Sequence, residues 1–257
     1  MNELKLLPKS ALVRTSEVDH PDWNYRVLLG TVQRLRFRIV RELLAGTAFD
    51  RLLEIGYGSG VFMPELNRHC ADLHGIDPHQ HRAEVADNLA GQGIQATLTQ
   101  GSAESLPYAD DHFDCAVAIS TLEYVPDIDS ACREIRRVLT PSGVLAVVTP
   151  GVNKLWDLAL RLSTGESPSQ YADRRQQLQP ALRRHFTVVR EVRVPTLSHS
   201  AVRLYTADTP SPAMKLLPLP VVSGLGSGSP YVLPAGFVVH VASRLLIVNS
   251  APVLVMM

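Results

Sequence analysis

The chain has 257 residues, 46% of them hydrophobic and 19% charged, and its 25 Lys plus Arg balance 25 Asp plus Glu. That length supports one α/β domain with a sizeable core. The composition excludes general disorder, and the neutral balance leaves no global field to gather a polyanion, so no nucleic-acid partner is expected.

Cys70, Cys115 and Cys132 are odd in number and lack C-x-x-C spacing, which suits packing roles in a reducing compartment. The first residues hold no long apolar core of the signal-peptide kind, and a cytoplasmic protein is expected. Residues 1–24 read as an irregular arm, because Pro8 and Pro21 break any helix; Asp22 or Asn24 is available to cap the first helix. From Thr31 to Leu44 the spacing predicts that helix, with Val32, Leu35, Ile39 and Leu43 on one face. Arg34, Arg38 and Arg41 lie largely opposite and read as solvated. Arm and helix together make an N-terminal unit over 1–45.

The stretch Arg51–Gly60, RLLEIGYGSG, organises the rest of the chain. Leu52, Leu53 and Ile55 are too short a run for a helix and too continuous for a surface strand, so they predict a central parallel strand. Glu54 lies within that run, and Gly56, Gly58 and Gly60 then predict a loop whose backbone a ligand can approach closely. A helix over Val61–Cys70 would turn its free N–H groups to the same ligand. Asp72–Asp77 reads as the neighbouring strand, and a carboxylate at its tip is placed to accept from both ribose hydroxyls of a nucleoside. His79 and His81 come next, but no third ligand completes a metal site, so they read as helix-start residues and no metal is expected.

A helix over Arg82–Ala90, a strand over Gln95–Thr99 and the loop Gly101–Ser102–Ala103–Glu104 continue the chain. Asp114–Ser120 is another buried strand. The segment TLEYVPDID leads from it into an amphipathic helix over Asp129–Leu139, a turn over Thr140–Gly143 and a strand over Val144–Thr149. Residues 151–185 exceed a minimal crossover, with one helix through Trp156 and Leu162, a break over Gly165–Ser169 and a basic helix ending at Arg184. Phe186–Val194 and Ala201–Ala207 predict two closing strands. The tail, 209–257, is apolar and rich in Pro and Gly; sheet-edge pairing, contact with a membrane or lipid-like acceptor, dimerisation and no selected role all stand open for it.

The pattern E-x-G-x-G-x-G at Glu54–Gly60, together with LPYADDHFD at Leu106–Asp114, resembles the class I S-adenosylmethionine-dependent methyltransferases, and the resemblance is strong over 51–150. It implies a three-layer, Rossmann-like α/β fold over 46–208, with a mostly parallel sheet and a closing antiparallel hairpin that a dinucleotide fold lacks. It implies S-adenosylmethionine as cofactor, held by Glu54, Gly56, Gly58, Gly60, Asp77, Pro78, Ser102, Ala103, Glu104 and Ser120. Asp77 is then the ribose ligand. Ser102 stands where relatives usually carry an aspartate on the adenine amino group, and a hydroxyl can still accept there. Glu123 and Tyr124 stand where relatives often have paired histidines and are the candidate acid-base groups. Tyr25, Trp156 and Tyr171 are candidate contacts to a small-molecule acceptor, with 151–185 as its cap. The implied function is methyl transfer to an O- or N-nucleophile. A non-catalytic cofactor-binding protein and a nicotinamide-dependent oxidoreductase are the alternatives.

Overall fold

The structure is a computed structural model, which describes residues 3–16, 19–149, 172–193, 201–206, 231–233 and 237–239. Trp156, Tyr171, the helix expected through Trp156 and most of the tail lie outside the described residues.

The main sheet contains β1 (Phe49–Ile55), β2 (Cys70–Asp77), β3 (Thr97–Gln100), β4 (Phe113–Ile119), β5 (Leu139–Thr149), β6 (Thr187–Arg193) and β7 (Ala201–Thr206) in the order β3-β2-β1-β4-β5-β7-β6. Every pair from β3 to β5 is parallel, and β7 is antiparallel to both β5 and β6. This is the expected sheet with its closing antiparallel pair. The strand order reverses at β1, whose partners are β2 on one side and β4 on the other, and a ligand crevice opens at the carboxyl ends on such a reversal.

Alternation along β1 explains the layers. Leu52 packs into the cluster with Phe37, Val40 and Leu43 of α1 (Val27–Leu44) and Val85 and Leu89 of α3 (Arg82–Ala90). Leu53 and Ile55 point the other way, onto α4 (Ile128–Val138) and α5 (Ala172–His185). In α4 the residues Ile128, Ala131, Cys132, Ile135 and Val138 share the buried face, and Asp127 caps its start by accepting from Ser130 N at 3.0 Å. Arg184 Nη2 reaches the Asp129 carboxylate at 2.7 Å, tying α5 to α4.

Several boundaries differ from expectation. The first helix starts at Val27, four residues earlier than its visible periodicity. The helix predicted over Val61–Cys70 is a single turn, α2 (Met63–Leu66), because tight bonds such as Met63 N to Gly60 O and His69 N to Leu66 O replace a regular ladder. Cys70 instead begins β2, and the third strand starts two residues later than predicted. The turn at Thr140–Gly143 lies inside β5. Between Phe113↔Leu139 and Cys115↔Val144, β4 advances two residues while β5 advances five, so the turn residues bulge out of the ladder.

The N-terminal arm is docked. Leu7 is fully buried and its N–H donates to Val61 O at 3.0 Å, while Lys5 N donates to Glu65 Oε2 at 2.7 Å. Two short strands of the tail, β8 (Tyr231–Leu233) and β9 (Phe237–Val239), pair with each other in an antiparallel sheet of their own. Among the described residues no helix is long and apolar enough to cross a membrane.

Candidate functional site

The site forms where β1, β2 and β4 end side by side. Gly56, just past β1, has φ +73, and a Cβ there would lie 2.2 Å from Thr121 Cγ2 across the crevice. Only glycine lets the β1 and β4 tips approach this closely. Gly58 has φ +49, and a Cβ on it would meet nothing nearer than Asp19 Oδ2 at 3.4 Å. Gly60 closes the turn by donating to Tyr57 O at 2.7 Å.

Asp77 is fastened to this loop. Its Oδ2 accepts from Gly58 N at 2.9 Å and its Oδ1 from His79 N at 3.2 Å. His79 Nε2–H donates to Gly58 O at 3.0 Å while its Nδ1 accepts from His81 N at 3.1 Å, which defines the tautomer. His79 thus braces the glycine loop, a role that its reading as a helix-start residue missed; His81 stands at the N-cap position of α3 without a side-chain capping bond. Pro78 is exposed, and its carbonyl accepts from Gln100 Nε2.

Glu54 is 4% exposed, and its Oε2 has no hydrogen-bond partner among the described residues. Burial, and then the Asp77 charge, push its carboxyl well above the usual range. Orphaned buried polar atoms are uncommon in native proteins, so Glu54 marks a place for a ligand.

The loop after β3 is braced by its own side chains. Ser102 Oγ donates to Glu104 Oε2 at 2.8 Å and accepts from Glu104 N, while Glu104 Oε1 accepts from Asp127 N at 2.7 Å. Ser102 and Glu104 therefore tie this loop to the start of α4. Ala103 packs in the core beside them.

At the tip of β4, Ser120 has φ +52, uncommon for a residue with a Cβ and a form of strain found at functional positions. Its Oγ accepts from Arg36 Nη1 at 2.8 Å. Arg36 reaches in from α1, and its Nε is buried with no hydrogen-bond partner among the described residues. Desolvation lowers its pKa to about 10, opposed by the charges of Glu123 and Tyr124. Arg36 was legible in principle, since it lies three residues before Ile39 and four before Val40, on the buried face.

The two candidate acid-base residues sit in one 3-10 turn, Leu122–Tyr124, but in different surroundings. Glu123 is 2% exposed, whereas Tyr124 is 36% exposed at the rim. Tyr25 does not direct its hydroxyl to an acceptor site: it donates to Leu7 O and pins the arm.

A parallel sheet with a glycine turn and a strand-end carboxylate at its order reversal defines an α/β protein built to hold a nucleoside-like cofactor. Residues 53–147 match the family model described as the methyltransferase domain. A ubiquinone biosynthesis O-methyltransferase of Azorhizobium caulinodans is 34% identical over 100 residues, covering 38% of this chain and 40% of that protein. The ubiquinone/menaquinone biosynthesis C-methyltransferase UbiE of Pseudomonas putida is 33% identical over 141 residues, 52% of this chain and 55% of its own. The N-methyltransferase NodS of Bradyrhizobium japonicum, solved with S-adenosyl-L-homocysteine, has the same fold with a TM-score of 0.57. It is 18% identical, covering 75% of this chain and 95% of that one. The chain thus spans about half, or less, of the curated relatives it matches. Residues 53–147 are therefore similar to the methyltransferase domain, on the fold shared with the solved N-methyltransferase.

Proposed function

We propose that the chain transfers a methyl group from S-adenosylmethionine to a small-molecule acceptor. The observation that carries this reading is Asp77, buried to 14% exposure at the β2 tip and locked onto the Gly58 amide, where a ribose diol is met by two carboxylate oxygens. Arg36, with its unpartnered Nε beside Ser120, suits the carboxylate of the donor's methionine tail. Glu54 suits the ammonium of the same tail. The donor supplies a methyl already activated on a sulfonium, so the protein's task is in-line placement of the acceptor and exclusion of water. Glu123, buried beside Arg36, is our candidate to take a proton at its carboxylate; Tyr124, at the rim, is placed to orient the acceptor. The curated relatives named above act in quinone biosynthesis by their names, which favours an apolar ring-bearing acceptor. A cytoplasmic setting accords with three free thiols, two of which, Cys70 and Cys132, burial pushes up to about 12.

One observation favours a second reading, a donor-binding protein without transfer: the Ser102 hydroxyl is engaged twice by Glu104, which leaves a single lone pair for an adenine amino group. Titration calorimetry with S-adenosylmethionine and with NADH, then incubation of the methyl-labelled donor with a metabolite extract, separates the cases. Binding of the donor with label transferred to an extract component is expected. Binding of NADH alone overturns the proposal, and donor binding with no label transferred establishes the second reading.

A further inference from the structure

The N-terminal arm carries a carboxylate that neither the fold nor the family motif requires. Asp19 lies in a stretch docked over the glycine loop, with Leu7 buried against Val61 and Tyr25 fastened to Leu7 O. Thr15 holds its Oδ2 through the hydroxyl at 2.7 Å and the backbone N–H at 3.3 Å, and Ser16 Oγ accepts from the Asp19 N–H at 3.1 Å. The side chain is thereby aimed rather than free. Its target is Gly58: the Asp19 carboxylate is the nearest group to the position a Gly58 Cβ would take, with Oδ1 at 3.7 Å and the Thr15 bonds made by Oδ2 alone.

Such a carboxylate is costly to place here. Burial and the nearby Asp77 both raise its pKa, and only the Thr15 bonds and His79 work against them. Glu54 adds a third acid beneath the loop, buried and with one oxygen unpartnered. Asp19 and Asp77 repel one another across the glycine loop, and a bound cation relieves that repulsion. S-adenosylmethionine carries a sulfonium, an ammonium and a carboxylate, so its net charge is one positive unit. S-adenosylhomocysteine lacks the sulfonium charge and is neutral overall.

We propose that Asp19 is a donor-site residue: from the N-terminal arm it closes the site above Gly58 and, with Asp77, favours the cationic donor over its neutral product. The inference rests on the reading of this crevice as the S-adenosylmethionine site and deepens it. The arm is then part of the binding site, and its charge gives the spent cofactor a weaker hold than the fresh one.

The test is titration calorimetry on the full chain, wild type and Asp19→Asn, with S-adenosylmethionine and S-adenosylhomocysteine separately. Asp19→Lys serves as a charge-reversed third protein, and thermal melting confirms folding of each. The side chain is partly exposed and Asn is nearly isosteric, so the fold is expected to survive. Donor affinity should fall roughly tenfold in Asp19→Asn, the scale of one charge-assisted contact, and product affinity by less than about threefold. Asp19→Lys should widen the loss for the donor alone. Equal losses for both ligands would reduce Asp19 to an anchor of the arm and overturn the charge preference; unchanged affinities would remove it from the site. A wild-type protein that binds neither ligand would instead overturn the donor-site reading itself.

Discussion

Replacing Asp77 with alanine tests the centre of the site, because the structure gives that carboxylate two separable jobs. It accepts from Gly58 N at 2.9 Å and from His79 N at 3.2 Å, so its removal frees two loop amides as well as any ribose contact. The amides lie at the lip of a crevice and are partly rehydrated, so the stability loss should be about 1–3 kcal/mol rather than the full worth of two charged bonds. For a domain of this size that lowers the melting temperature by about 2–4 °C per kcal/mol. The ribose contact is a further charge-assisted pair of bonds, and its loss should weaken S-adenosylmethionine roughly 10- to 150-fold, or about 1.5–3 kcal/mol. Calorimetry well below the melting point measures the second effect without the first. Asp77→Asn keeps one acceptor and should fall between wild type and alanine in both measurements. A folded Asp77→Ala protein with donor affinity within about twofold of wild type would refute the argument.

Gly56→Ala should cost about 2–4 kcal/mol in chemical denaturation, since its Cβ would stand 2.2 Å from Thr121 Cγ2 at positive φ, while Gly58→Ala should cost only ~1 kcal/mol and chiefly weaken donor binding. Equal stabilities for the two variants would show that the β1 and β4 tips are not held together as described. Ser102→Asp, which restores the usual residue of relatives, would face the Glu104 carboxylate that now receives the Ser102 hydroxyl at 2.8 Å. It should lose about 1–2 kcal/mol, recovered with tighter donor binding when combined with Glu104→Gln; a stable single variant would place Glu104 elsewhere. Glu54→Gln tests the buried acid by pH. Its folded pKa is raised above the usual 4.5, so the native state holds a proton that the unfolded chain has released, and wild-type stability falls as pH rises above about 4.5. The Gln variant should lack that fall, matching wild type near pH 4 and exceeding it near pH 8 by at least ~1 kcal/mol. Parallel profiles would mean that Glu54 is not held protonated.

The parts of this fold written in continuous apolar runs were legible in the sequence. Leu52, Leu53 and Ile55, or Asp114 to Ser120, can bury only as central strands, and the glycines between them state where a ligand comes close. What escaped was set by tertiary placement. The segment after Gly60 has a helical composition, yet three-residue bonds tighten it into turns that deliver Cys70 to β2. Arg36 is one of several arginines on α1, and its inward course depends on Ser120 and Glu123, more than eighty residues away. Asp19 offered still less, for a Thr four residues before an Asp is commonplace, and only the docked arm brings the pair over Gly58. The acid-base candidates illustrate the same limit: the sequence offered both alike, but the turn buries Glu123 and leaves Tyr124 at the rim.

The energetics of Glu54 and Asp77 explain where the third acid is mounted. Both lie on β1 and β2, whose burial fixes them in place, so the Asp77 charge adds to the cost of ionising Glu54 whenever the domain is folded. A third carboxylate on a core strand would add a permanent cost of the same kind. Asp19 is instead carried by the N-terminal arm, which is anchored by Leu7 and Val13 in the core, by Lys5 on Glu65 and by the Tyr25 hydroxyl on Leu7 O. Binding of the positively charged donor offsets the repulsion between Asp19 and Asp77 and so favours the docked arm. The donor therefore stabilises the closed arm by its charge as well as by its contacts, and once the methyl group has left, the charge that favoured closure has left with it.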